Sequence, residues 1–133
     1  MAEREELVQY YIVDATLGIR SKGKIGAQCA HGALLAHEIY ERLRVLADKY
    51  HTDLTSRGHA NTYNKWYGGQ MTKIVLKGDP EVMEKAGKEY GHMTACVIDS
   101  GFTEVPEGSQ TVVVLPIMKR DDCPDWLTEL RLL

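Results

Sequence analysis

Apolar positions along the chain alternate between short runs of strand character and longer stretches of helical period. Leu7 to Asp14, LVQYYIVD, is almost continuously apolar and reads as a buried strand. From Gly23 to about Lys49 the period changes. Ile25, Cys29, Ala36, Tyr40, Leu43 and Ala47 fall on one stripe, as a helix lying on a sheet requires. Thr72 to Lys77 is a second strand. Asp79 and Pro80 then open a helix, the acid as cap and the proline at its first position, which runs to about Tyr90 and stops at Gly91. Met93 to Ile98 is a third strand. Gln110 to Ile117, containing Thr-Val-Val-Val-Leu-Pro, is a fourth, ended by proline. A last helix fits Cys123 to Leu132, with Trp126, Leu127 and Leu130 toward the core. The order β-α-β-α-β-β-α places the chain in the α/β class, as a three-layer α/β/α sandwich on a four-stranded sheet. A loop without a helix joins the last two strands, so the sheet is expected to be mixed.

The stretch from Asp48 to Gly68 fits this alternation least well. It interleaves Tyr50, Tyr63, Trp66 and Tyr67 with His51, Arg57, His59 and Lys65. Two readings compete. The long helix is extended and the aromatics pack the connection down, or the aromatics stack bases while the cations meet phosphates.

At 133 residues with 44% hydrophobic content, the chain is long enough for one core, and a single domain over residues 1–133 is expected. Cys29, Cys96 and Cys123 match neither a zinc site nor a CxxC pair and read as free thiols of a reducing compartment. No apolar run approaches the roughly 18 residues of a membrane span, and the acidic start, Met-Ala-Glu-Arg-Glu-Glu, is unlike a secretory signal. A cytoplasmic protein without membrane contact is expected. The net charge of -3 weighs against nucleic-acid binding, but the charges are segregated. Acids gather at the N-terminus, from Asp79 to Glu89 and at Asp121, Asp122 and Asp125, whereas Arg20, Lys22, Lys24, Lys65, Lys73 and Lys77 lie on segments that can converge beside one strand end.

The chemistry concentrates in Lys22-Gly-Lys-Ile-Gly-Ala-Gln-Cys-Ala-His31. Lys24, Gln28 and His31, at spacings of four and three, share one stripe of a helix otherwise built there from very small residues. Arg20, Lys22 and Lys24 crowd the helix start, where free N–H groups and the helix dipole already favour an anion such as phosphate. Cys29 and His31 point about 200° apart on a helix and form no nucleophilic dyad by themselves. His31 and His37, six apart, do not share the face that paired metal ligands share, and no metal site is expected. Gly18 to Gly26 matches neither a Walker loop nor a full dinucleotide fingerprint, so no nucleotide cofactor is expected either.

This string, with Gly69-Gln70 before a strand, Asp99-Ser-Gly-Phe-Thr103 after another and Gly108-Ser-Gln-Thr111 opening a fourth, resembles the archaeal and eukaryotic type of peptidyl-tRNA hydrolase. The blocks keep that family's order from about Val8 to Leu115. The resemblance implies a carboxylic ester hydrolase that frees the peptide from the 3′-terminal ribose of peptidyl-tRNA and recycles the tRNA. It implies no metal or organic cofactor, and a possible homodimer.

Such hydrolysis needs an aligned water, a donor for the developing oxyanion and a grip on the nucleic acid. The candidates are Lys24, Asp99 and Thr103 as the catalytic group, with Arg20, Lys22, Gln28, His31 and Ser109 binding substrate. Asp99, at a strand's carboxyl end, can orient or partly deprotonate water. For Lys24 three roles stay open: pairing with Asp99, binding a phosphate, or steadying the oxyanion. Thr103 and Ser109 bring hydroxyls, Gln28 an amide donor. His31, between small residues, reads equally well as a buried core histidine. The small face of Gly26, Ala30 and Ala33 can pack on the sheet or on a second subunit. Two departures from the family pattern stand out: Arg20 and Ser21 fill an approach where the family has a glycine, and Phe102 occupies a position that is often basic or polar. They leave an alternative open, a non-catalytic tRNA- or protein-binding module on the same fold. Hydrolysis of some other ester or amide fits the same residues less closely.

Overall fold

The computed structural model describes residues 6–50, 54–101 and 104–133. Strand β1 (Leu7–Asp14) is followed by the 28-residue helix α1 (Lys22–Lys49), helix α2 (Leu54–Tyr67), β2 (Thr72–Gly78), α3 (Pro80–Tyr90), β3 (Ala95–Ile98), β4 (Gln110–Val114), the short β5 (Met118–Lys119) and α4 (Asp125–Thr128). The sheet runs β2-β1-β4-β3, with β5 added alongside β1. It is mixed: β1 and β2 are parallel, and β4 lies antiparallel to both β1 and β3. The carboxyl ends of β1, β2 and β3 therefore share one edge with the beginning of β4. Because α1 enters from the end of β1, its N-terminus stands at that edge too.

Alternation along β1 divides the core. Val8, Tyr10 and Ile12 join Met83 and Ala86 of α3 and Leu127 of α4 on one face, while Tyr11 and Val13 join Ala36 of α1 on the other. This is the expected three-layer α/β arrangement. Helix α1 comes closest to the sheet at Gly32, where a Cβ would lie 2.7 Å from a Val114 methyl. No larger residue fits without pushing the helix away. Among the described residues, no helix is long and apolar enough to cross a membrane.

Three boundaries differ from expectation. The 48–68 segment contains a helix of its own, α2, whose buried residues are Ser56, Ala60, Tyr63 and Trp66. Its Tyr63 stacks on Tyr40 of α1 with ring centroids 4.2 Å apart, and Trp66 is buried beside it, so these two rings are core, whereas Tyr50 and Tyr67 remain exposed. His51 lies outside the described residues. The sheet has a fifth strand, because Pro116 breaks the backbone after β4 and Met118 and Lys119 then return to pair with Val8 and Leu7. The last helix ends at Thr128. Beyond it the chain extends along the free edge of β2, with Lys77 donating its backbone N–H to Arg131 and Leu133 donating to Val75. That edge gains hydrogen bonds that a continued helix would leave unmade.

The basic residues do not all converge at one strand end. Lys73 sits at the start of β2 and Lys77 near its end, so with a rise of about 3.3 Å per residue they stand roughly 13 Å apart along the strand.

Candidate active site

The site is assembled where three chain segments meet at the shared edge. Ser21 caps α1, its Oγ accepting from the Lys24 N–H at 3.1 Å, and so fixes where the first turn begins. One turn apart, Lys24 and Gln28 both reach Asp99, the residue just after β3. Lys24 Nζ donates to Asp99 Oδ1 at 2.7 Å, and Gln28 Nε2 approaches the same oxygen at 3.4 Å. Asp99 is 8% exposed and the Lys24 side chain 14%, so the pair is shielded while its outer side still meets solvent. Of the three roles open to Lys24 in the sequence, the structure places it in an ion pair with Asp99.

Backbone holds the other carboxylate oxygen. The Gly101 N–H donates to Asp99 Oδ2 at 2.8 Å, which requires a tight return just after the strand. Gly101 has a φ of +81°, and a Cβ there would run into the backbone of Glu107, so only glycine serves. The loop is clasped at its base, Asp99 N–H donating to Ser109 O and Gly108 N–H to Asp99 O, each at 2.8 Å. The Lys24 hydrogen bond first, then that of Gly101, holds the Asp99 carboxyl below its ordinary value of 3.8. Asp99 is therefore a carboxylate at neutral pH, a strong acceptor and a weak base.

Thr111 completes the group. Fully buried at the start of β4, it donates its hydroxyl to Gln28 Oε1 at 2.5 Å and so turns the Gln28 amide toward Asp99. Thr111 was not among the candidate residues. Its sequence signal is a polar side chain at the opening of an otherwise apolar strand.

The remaining candidates divide. Arg20 and Lys22 are exposed at the start of α1, just ahead of Lys24 in the chain. His31 is exposed and makes no hydrogen bond to the group, so it is not the buried core histidine that was one of its two readings. Ser109 donates its hydroxyl to Pro106 O at 2.6 Å and serves the loop. Thr103 lies outside the described residues, as does Phe102. Gly26 and Ala30 are exposed and do not pack on the sheet, whereas Ala33 is partly buried against it. Burial raises the Cys29 thiol above its ordinary value, away from the thiolate a nucleophile needs.

A buried carboxylate held by a lysine, with an amide turned toward it by a threonine, is a compact acceptor and donor set without a covalent nucleophile. A model of the family described as peptidyl-tRNA hydrolase PTH2 matches residues 7–133. The chain is 31% identical over 111 residues to the probable peptidyl-tRNA hydrolase 2 of Dictyostelium discoideum, covering 80% of this chain and 45% of that protein. It is 28% identical over 99 residues to the peptidyl-tRNA hydrolase of Thermococcus onnurineus (strain NA1), covering 71% of each. The chain thus spans about half the length of the first relative. With the family match running from the first strand through the lysine, the aspartate and the clasped loop to the last residue, the chain belongs to the peptidyl-tRNA hydrolase PTH2 family.

Proposed function

We propose that this protein hydrolyses the ester between a peptide and the 3′-terminal ribose of tRNA. The observation that carries this reading is the Lys24–Asp99 ion pair at 2.7 Å, at the strand-end edge of a chain of this family. An ester is activated enough for water to attack directly, so what the site must supply is alignment and charge.

Asp99 accepts a hydrogen bond from the attacking water and fixes the direction of its lone pair. As a weak base it takes up the water proton as the tetrahedral intermediate forms, and it returns that proton to the ribose 3′ oxygen as the ester C–O bond breaks. Lys24 keeps Asp99 ionised, and its ammonium has two further N–H donors for the oxyanion. Gln28, oriented by Thr111, steadies the carboxylate and is placed to meet a substrate carbonyl or ribose hydroxyl. Arg20 and Lys22 contact phosphates at the mouth of the site. Thr103, four residues after Asp99 in the sequence, belongs to the same proposal as a hydroxyl donor.

The test is turnover of N-blocked peptidyl-tRNA beside equilibrium binding of deacylated tRNA. Turnover that disappears in Asp99→Asn supports the reading. Binding of tRNA without turnover would establish the non-catalytic module instead. Affinity should also fall as salt rises from about 50 to 200 mM, since the phosphates neutralised by Arg20 and Lys22 release counterions. A flat response would point to a small ester as substrate.

A further inference from the structure

On the side of α1 away from Asp99, a groove of about 550 Å³ opens between α1 and α2 over the start of β2. Its walls are aromatic. Tyr63, Trp66 and Tyr67 line it, Tyr67 being 58% exposed, and His37 closes one side by pairing its Nδ1 with the Tyr63 hydroxyl at 2.6 Å. Lys73 stands 5.2 Å from the centre of the Trp66 ring and makes no ion pair among the described residues. Among the described residues, no carboxylate lines the groove. At its floor is Gln9, 1% exposed. The Gln9 carboxamide oxygen accepts from the Tyr11 hydroxyl, but its amide nitrogen makes no hydrogen bond among the described residues.

The Gln9 amide nitrogen lines the groove floor with two N–H donors available to an occupant. The occupant must offer acceptors in a plane, a face for aromatic rings, and negative charge for Lys73. We propose that the groove seats an unpaired base of the tRNA's 3′ end, the base edge on Gln9, its face against the aromatic wall and its phosphate toward Lys73. Glutamine carboxamides pair with base edges, and bases stack on tyrosine and tryptophan whatever their sequence. A peptide suits the groove less well, because peptides vary and bring no fixed anion to Lys73.

The position fits the ester site. At 1.5 Å per residue, Ala30 at the rim of the groove lies about 9 Å along α1 from Lys24. Between them the surface of α1 is Gly26 and Ala27, both exposed, so nothing bulky obstructs a short single strand crossing the helix from one site to the other. The inference rests on the peptidyl-tRNA reading, since it assigns the groove to that substrate.

The protein has two tryptophans, and Trp126 lies on the far face, bonded to Glu89. Trp126→Phe therefore leaves Trp66 as the reporter. In that background, deacylated tRNA should quench Trp66 saturably. The same tRNA trimmed of its unpaired 3′ nucleotides should bind about tenfold more weakly and quench nothing. Tyr67→Ala, an exposed substitution that leaves the fold intact, should reduce affinity for full-length tRNA toward that of the trimmed form. Gln9→Leu should do the same, and Lys73→Met should weaken only the full-length tRNA. Equal quenching by both tRNAs, or saturation by an acetylated tripeptide amide, would overturn the proposal. Peptidyl-tRNA turnover by the same Trp126→Phe protein separates the two readings. Turnover without end-dependent quenching sinks the groove alone, whereas absent turnover sinks the enzymatic reading whatever the quenching reports.

Discussion

The first half of α1, from Lys22 to Ala33, buries only Gly32, whereas from Ala36 to Ala47 the same helix buries Ala36, Tyr40, Leu43 and Ala47. Lys24 and Gln28 of the first half reach Asp99, and the small residues around them leave room for a large substrate. The second half meets α2, where Tyr40, Leu43, Tyr63, Trp66, Met93 and Ile117 form one cluster and the Tyr40 hydroxyl accepts from the Ile117 N–H at 2.7 Å. One helix thus separates chemistry from anchorage. The half that carries the proposed site contributes little burial, and the half that holds the helix in place does not reach Asp99.

The largest expected effect tests the anchoring half. Leu43→Ala removes a side chain that is 8% exposed from the cluster and should cost about 2–5 kcal/mol, enough to shift the folding equilibrium by roughly 1.5 to 3.5 orders of magnitude. Denaturant titration measures the loss, and turnover per folded molecule should be unchanged. A folded Leu43→Ala protein with much reduced turnover would show that the two halves are not independent.

Next in size is the reverse experiment. Lys24→Met and Asp99→Asn should each lower single-turnover hydrolysis of peptidyl-tRNA by on the order of a hundredfold per folded molecule, beyond any loss of stability from the broken ion pair. Lys24→Arg should recover little, because a planar guanidinium cannot occupy the place of a compact ammonium against Oδ1. Near-normal turnover in folded Lys24→Met would remove the ion pair from the mechanism.

A smaller loss, on the order of tenfold in rate, is expected for Gly101→Ala. The left-handed backbone at φ +81° and the neighbouring Glu107 together resist a Cβ, so the loop must shift and Oδ2 loses its N–H donor. Lys24 still holds Oδ1. If the variant matches wild type in rate, the backbone donor is dispensable and the lysine alone fixes the carboxylate.

These predictions rest on features of unequal legibility in the sequence. Caps and stops are local, so Asp79-Pro80 and Gly91 disclosed α3 at both ends, and the Asp79 side chain does cap it by accepting from the Val82 N–H. Lys24 and Gln28 were legible because one turn of helix is a fixed spacing. That they converge on Asp99, 71 to 75 residues away, follows from strand order, and the sequence holds no direct trace of that order. Helix α2 was hidden for another reason. Two of its four buried positions are Ser56 and Ala60, too small and too polar to make an apolar stripe, and Gly58, Asn61 and Asn64 are poor helix formers. Tertiary contact with α1 selects the helix there. Thr111 escaped notice because its partner Gln28 lies 83 residues earlier.

The smallest effect, in pH, bears on the ion pair most directly. Lys24 and then Gly101 hold Asp99 below its ordinary 3.8, so its folded value lies under its unfolded one. The stability it contributes is therefore present above the unfolded value and lost as pH falls through the folded one. For the same reason kcat/KM on peptidyl-tRNA should be insensitive to Asp99 between about pH 5 and 7 and fall only in more acid solution, below the ordinary carboxylate range. Lys24→Met removes the larger of the two causes, and the acid limb of its residual activity should move upward toward 3.8. Leu43→Ala, from the other half of the same helix, should leave that limb in place. Profiles of kcat/KM for the two variants decide the matter. A limb unmoved by Lys24→Met would mean that the lysine does not set the charge on Asp99, and one moved by Leu43→Ala would mean that the packed half of α1 reaches the site after all.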